Sequence, residues 1–300
     1  MCSSDLRNYA YLKIAEGCAK QCAFCIIPKI KGPLKSKSIE QVVKEFNALL
    51  NEGIQEVILI AQDLGDFGKE TREKKGLETL LEEISKIDKP FWLRLLYLYP
   101  DEITDELIEV IAKEPRICRY LDMPIQHINN RMLKSMRRKT SKEEIIATIQ
   151  KLRKAVPDIV IRTSLMVGFP GETEEEFEEL VDFVKEFALD NIGIFKYSME
   201  KEAPSASYEG HISEEVKERR HAILAKAQLE SVRKSSRKWI GRTVPVIVEG
   251  YHPESQLLMR GRHYGQCPEI DGEVIINDGR KVKEFGELYK VEIKIGRAHV

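Results

Sequence analysis

Six apolar runs rich in β-branched and aromatic residues recur along the chain, at 9–15, 56–61, 91–97, 120–124, 160–167 and 191–197. Amphipathic helical segments at 38–51, 77–86, 101–113, 141–155 and 172–186 lie between them. Ser38 ahead of Gln41, and Thr140 or Ser141 ahead of Glu143 and Glu144, supply N-cap signals for two of these helices. Six β/α alternations predict an α/β fold on a parallel sheet with right-handed crossovers, either an open sheet or an incomplete barrel. In both, ligands gather at the carboxyl ends of the strands. That rim is expected to hold the loop after the first strand, Gln62 and Asp63 after the second, Gln126 and His127 after the fourth, and the stretch from Gly168 to Glu172 after the fifth.

The first of these loops reads Gly17-Cys-Ala-Lys-Gln-Cys-Ala-Phe-Cys25. Cys18, Cys22 and Cys25 have no fourth cysteine or histidine near them in sequence, since the nearest histidine is His127. A structural zinc site wants four closed protein ligands, which this spacing does not offer. Six cysteines in 300 residues are too sparse for a disulfide framework. A cubane iron-sulfur cluster has four irons, so three thiolates would leave one iron free for a substrate or cofactor. The trio therefore predicts chemistry at an iron, in a reducing cytoplasm. Cys118 reads as a small packed residue, and Cys2 and Cys267 receive no role.

Charge and length exclude several classes. Lys and Arg number 48 against 49 Asp and Glu, a net charge of -1, so no global field draws the chain to nucleic acid or an anionic membrane. Unbroken apolar runs such as 57–61 are far too short to span a bilayer. The expectation is a cytoplasmic monomer. At 300 residues it can bury one large α/β core with a small satellite. Both ends look foreign: CSSDL at 2–6 and IGRAHV at 295–300 can be encoded by inverted complementary strings, which predicts non-native flanks at 1–6 and 295–300.

A second composition follows the sixth run. Residues 213–238 form a long charged helix in which Lys217, Arg219, Arg220, Lys226, Arg233, Lys234, Arg237 and Lys238 outnumber the acids, either a solvated face or a nucleic-acid surface. From 243 to 294 the pattern changes to short strands at 244–248, 256–260, 273–276 and 288–293, split by Gly, Pro and Asn-Asp-Gly turns, as in a small β-barrel. The expected domains are therefore an α/β core at 7–210, a linking helix at 211–242 and a barrel at 243–294.

The Cys-x3-Cys-x2-Cys loop after the first strand of a six-fold β/α chain resembles the radical S-adenosylmethionine (SAM) superfamily. Within it, Gly17-Cys-x3-Cys-x-Phe-Cys-x2-Pro28, Pro124-Ile-Gln-His127, Met136-Arg-Arg138 and Arg162-Thr-Ser-Leu-Met-Val-Gly-Phe-Pro-Gly-Glu-Thr173 resemble the methylthiotransferases. The terminal barrel is similar to their TRAM domain, and the likeness covers nearly all of 7–294. One departure is Lys35 and Lys37, where the family often has arginines.

The resemblance implies a partial (β/α)6 radical-SAM barrel followed by a small all-β TRAM barrel. It implies a 4Fe-4S cluster on Cys18, Cys22 and Cys25, whose unligated iron chelates SAM; one electron then releases a 5′-deoxyadenosyl radical. Phe24, Gln62, Gln126, Arg162 and Gly168 are the expected SAM contacts; Arg162 could equally anchor Glu172 or another barrel carboxylate. Such a radical takes hydrogen from an unactivated C–H bond, which argues against acid/base work for His127. His127 is expected to be a pocket donor, a satisfied loop histidine being the alternative.

Asp122-Met-Pro-Ile-Gln-His127 and Cys267-Pro-Glu-Ile-Asp-Gly272 look like the branch that adds a methylthio group to the β-carbon of an aspartate in a small-subunit ribosomal protein. The nine acids against seven bases in 243–294 fit docking on a basic ribosomal protein. A tRNA adenosine methylthiotransferase is the alternative within the family, and a non-catalytic RNA- or ribosome-binding module the alternative outside it. The family also needs an electron donor and carries a preceding domain with a second 4Fe-4S cluster, expected upstream of this chain.

Overall fold

A computed structural model describes residues 8–71 and 76–295, so the flank at 1–6 and all of the flank at 295–300 except Ile295 lie outside the described residues. The chain enters through β1 (Tyr9–Lys13), then a two-residue strand β2 (Ala15–Glu16). After α1 (Ile27–Lys31), β3 (Lys35–Ser36) pairs antiparallel with β2, closing the cysteine loop at its base. The repeating part follows as α2 (Ile39–Asn51), β4 (Glu56–Ile60), α3 (Leu77–Ser85), β5 (Trp92–Leu95), α4 (Asp105–Lys113) and β6 (Ile117–Asp122). It continues as α5 (Asn130–Ser135), α6 (Lys142–Ala155), β7 (Val160–Val167), α7 (Glu174–Phe187) and β8 (Asn191–Lys196).

The six-stranded sheet runs β1-β4-β5-β6-β7-β8, and each neighbouring pair is parallel. A doubly wound sheet reverses strand order at a switch point. This order never reverses, so right-handed crossovers place every helix on one face and leave an incomplete barrel. Alternation along each strand divides the two faces. Val57, Leu59, Leu93, Leu95, Leu121, Ile161 and Leu165 pack under the helices, while Ile58, Leu96, Cys118, Tyr120 and Val160 face the concave side.

Local signals set the helix starts. Ser38 accepts from the Gln41 N–H, and Ser141 with Glu144 forms a reciprocal capping box, as does Thr173 with Glu176. The strand expected at 120–124 begins earlier, because Ile117 pairs with Leu93, and the helix expected at 101–113 begins later, at Asp105, after a 3₁₀ turn at Pro100–Glu102.

The second part comprises α8 (Glu214–Ser236), β9 (Thr243–His252), β10 (Ser255–His263), β11 (Val274–Ile276) and β12 (Leu288–Glu292). Its strands form an antiparallel sheet in the order β11-β10-β9-β12, an open half-barrel. Trp239, Val244, Val246, Val248, Cys267 and Ile276 share one apolar cluster with the concave face of the parallel sheet. Helix α8 is not a bare charged face. Arg219 and Arg220 pair with Glu174, Arg220 also with Glu172, and Lys238 with Asp190, while Lys217 donates to the Tyr197 carbonyl. Four of the eight basic residues in 213–238, three of them on α8, thus bind the core.

Candidate functional site

The cysteine loop leaves the carboxyl end of the sheet at Gly17, which has a left-handed φ of 77°, and a Cβ there would lie 2.1 Å from the Pro33 carbonyl oxygen. Only glycine fits. The loop is then pinned by backbone bonds: Cys18 N–H to the Gly32 carbonyl at 3.3 Å, Ala23 N–H to Met136 at 3.0 Å, and Ser205 N–H to the Ala23 carbonyl at 2.8 Å. Gly17→Ala is expected to lower stability by roughly 1–2 kcal/mol from the left-handed φ alone, and to reduce iron uptake. Thermal melts and iron analysis after anaerobic reconstitution check both, and a variant matching the parent in each would contradict the requirement.

Each sulfur accepts a hydrogen bond. Lys20 N–H reaches Cys18 Sγ at 3.4 Å and Ile27 N–H reaches Cys25 Sγ at 3.4 Å. Cys22 is buried and meets Arg138 Nη1 at 3.5 Å and the Tyr99 hydroxyl at 3.6 Å. Burial is the main cause that raises the thiols of Cys18 and Cys25, and it also pushes the Tyr99 phenol well above its ordinary range.

The donor set distinguishes a cluster from a single ion. Thiolates on a tetrahedral zinc stand about 3.8 Å apart. Among the described residues, the one group of three or more ligating side chains whose atoms all fall within 4.8 Å of one another is Asp63, Asp66 and Glu102, not the cysteines. The three thiols are therefore not drawn together as around one zinc ion, and a donor set of three thiolates is what three irons of a cubane would take. The carboxylate group is filled by the Lys20 ammonium, at 3.2 Å from both Asp63 and Asp66 and paired with Glu102. Asp63 is pushed up to about 6 by burial, against the pull of Lys20.

His127 is not a pocket donor. It is fully buried; its Nδ1 accepts from the Asn129 N–H at 3.0 Å, so Nε2 carries the proton and donates to Glu172 Oε1 at 3.2 Å. The second oxygen of Glu172 accepts from Gly168 N–H at 2.7 Å and Arg220 Nη1 at 2.5 Å. His127 therefore ties the fourth-strand loop to the Gly168–Glu172 turn and α8.

Phe24, Gln62, Gln126 and Gly168 all sit at the carboxyl-end rim. Gln62 Oε1 is buried without a hydrogen-bond partner, the mark of a polar atom awaiting a ligand. Gln126 has a left-handed φ of 70°, with its N–H given to the Ser164 carbonyl and its carbonyl taken by Met166 N–H, which turns the chain at the rim. Phe24 packs against Ala23, Met132, Met136, Phe169 and Tyr197. Gly168 has φ 76°, and its N–H is used by Glu172. Arg162 lies deeper, on β7, where its Nη1 holds Asp122 Oδ1 at 2.7 Å and its Nε stands 4.0 Å from Asp271. The sequence assigns no role to Lys20, Tyr99 or Arg138, although Met136-Arg-Arg138 is among the motifs that carry the resemblance and a lysine inside a cysteine loop is a readable signal.

The Radical SAM superfamily family model matches residues 12–184, and the TRAM domain model matches residues 240–299. The chain is 61% identical over 292 residues to "Ribosomal protein uS12 methylthiotransferase RimO" of Protochlamydia amoebophila (strain UWE25), covering 97% of this chain and 62% of that protein. It is 52% identical over 292 residues to the protein of the same name from Chlamydia caviae, covering 97% of this chain and 64% of the relative. The chain thus spans less than two thirds of their length. Among solved structures, the radical SAM methyltransferase TsrM from Kitasatospora setae, with cobalamin and a [4Fe-4S] cluster bound, superposes at a TM-score of 0.55 and 19% identity, over 66% of this chain and 38% of that one. No helix among the described residues is long and apolar enough to cross a membrane.

Proposed function

This chain belongs to the radical SAM superfamily, and on that premise we propose that it forms the radical and TRAM part of a methylthiotransferase that modifies the β-carbon of an aspartate in the small-subunit ribosomal protein uS12. The observation that carries the reading is the trio of hydrogen-bonded cysteine sulfurs at the carboxyl-end rim, with no fourth cysteine or histidine near them in sequence. The names of its relatives supply the substrate.

When bound, a 4Fe-4S cluster and SAM supply a carbon-centred radical strong enough to take hydrogen from an unactivated C–H bond. The residues do the remaining work. Cys18, Cys22 and Cys25 would hold the cluster, and the unpartnered Gln62 Oε1 would accept from SAM. Gln126 offers a side chain from its strained turn, and Phe24 walls the pocket against water. Arg162, already paired with Asp122, serves as a wall of the barrel rather than a free clamp for the SAM carboxylate. The Gly168–Glu172 turn shapes the pocket through its backbone, held from behind by His127 and Arg220.

The cytoplasm is the proposed setting, since the five described cysteines are free. The ion pairs of α8 with the core weigh against an RNA-gripping role for that helix. Anaerobically reconstituted protein is expected to turn brown and to release 5′-deoxyadenosine when reduced with SAM. Mass analysis of uS12 and of tRNA from a deletion strain complemented with the full-length gene then identifies the substrate. Methylthiolation of tRNA with unmodified uS12 would move the assignment to the tRNA branch, and a colourless protein inert to SAM would leave only a binding module.

A further inference from the structure

Arg138 is a buried cation without a carboxylate. Its residue exposure is 7%, and among the described residues no Asp or Glu oxygen lies within 4.0 Å of its guanidinium. A buried charge left uncompensated costs several kcal/mol, and a carbonyl and an aromatic face offset only part of it, which leaves room for an anion beside this arginine. The group it touches is Cys22 Sγ, at 3.5 Å from Nη1, while Nη2 donates to the Pro124 carbonyl and the guanidinium lies 3.8 Å over the Tyr99 ring. Tyr99 adds its own hydroxyl at 3.6 Å from the same sulfur.

The local fold aims this side chain. Asn129 caps α5 through Oδ1, accepting from Arg131 and Met132 N–H at 3.0 and 3.2 Å. The helix ends with Arg137 in the left-handed region at φ 57° and Arg138 N–H bonded back to the Leu133 carbonyl at 2.8 Å, a wrap that turns residue 138 inward. A non-glycine residue holds that position at a cost. The same helix end accepts the Ala23 N–H through Met136, so the guanidinium and the cysteine loop share one anchor.

We propose that Arg138, stacked on Tyr99, is a positioning residue that supplies the counter-charge and hydrogen bond to the Cys22 thiolate and thereby raises the reduction potential of the cluster. This rests on the cluster reading above. Hydrogen bonds and positive charge at a cluster sulfur favour the more negative, reduced state, and so set its potential. Among the described residues Cys18 and Cys25 receive backbone N–H donors alone, which would make the surroundings of the three thiolates unequal.

The test is an EPR-monitored redox titration of reconstituted parent chain, R138M and Y99F, with iron content measured on each. R138M is expected to hold iron yet show a midpoint shifted to lower potential and an altered EPR signal. Y99F, which keeps the ring and the guanidinium, should shift in the same direction by less. Unmoved midpoints and signals in iron-loaded variants would overturn the inference. If R138M fails to fold or load, Y99F decides alone: a downward shift supports the role and an unchanged midpoint overturns it. A parent chain that takes up no cluster would instead sink the cluster reading itself, before any variant is compared.

Discussion

Cys22→Ala is expected to abolish cluster uptake and 5′-deoxyadenosine release, while Cys118→Ala and Cys267→Ala retain both. All three side chains are buried, so burial alone does not separate them. Cys118 and Cys267 lie in the apolar cluster between the sheet and the half-barrel, where burial pushes each thiol up to about 12 and leaves it an inert hydrophobe. Their truncation should cost about 1–2 kcal/mol of packing and no iron. Cys22 instead meets two donors at the rim. Its loop is held by Gly32, Met136 and Ser205 through backbone bonds, so the alanine variant should fold with parental circular dichroism. Loading should also respond to pH. Burial raises the Cys18 and Cys25 thiols, so near neutrality the metal-free chain carries them protonated, and iron must displace those protons. Reconstitution is therefore expected to quicken as pH rises toward the thiol range. Iron and product at parental levels in Cys22→Ala would remove that sulfur from the site.

The barrel was legible because its signals are local or strictly periodic. Strand β7 has the bounds its alternation predicted, Val160–Val167, and Ser38 and Ser141 cap the helices they precede. What escaped the sequence is either too short to show a period or made by distant partners. Helix α5 has six residues and α1 five, and the β2–β3 pair joins segments separated by the whole cysteine loop. Asn129 ahead of Asn130 was a readable cap for α5. The roles of single charged residues were the hardest. Arg162 meets Asp122 because those two residues are register partners across β6 and β7, and the burial of His127 depends on Glu172 and on Arg220 from α8. No spacing within one segment encodes such meetings. The incomplete barrel, left open against a flat sheet by the alternation alone, was decided by a strand order that only long-range packing can express.

The greatest loss of stability is expected at Glu56, a residue that reads in the sequence as the polar start of a strand. It is 0% exposed, and it bridges Arg94 Nε at 2.6 Å, also 0% exposed, to Arg262 Nη1 at 2.7 Å on β10. Arg94 continues to the Tyr264 carbonyl at 2.8 Å and Arg262 to Glu249 at 2.7 Å, so one carboxylate joins the parallel sheet to the half-barrel. Removing one partner of a buried ion pair strands the others without compensation, which costs roughly 3–5 kcal/mol. Glu56→Ala strands the buried Arg94 guanidinium and leaves Arg262 with Glu249 alone, and should reach that range in urea unfolding at neutral pH, with easier proteolysis between the two sheets. Burial alone would raise the Glu56 carboxyl, but Arg94 and Arg262 overcome it, and the net shift is downward. A depressed carboxyl contributes stability that is complete above the ordinary glutamate value and is lost as pH falls through the folded value. Glu56→Gln should therefore be less stable than the parent at neutral pH and flatter in its acid response. A Glu56→Ala chain that unfolds within about 1 kcal/mol of the parent, the scale of an exposed pair, would show that the half-barrel is held by its apolar cluster without help from the buried charges.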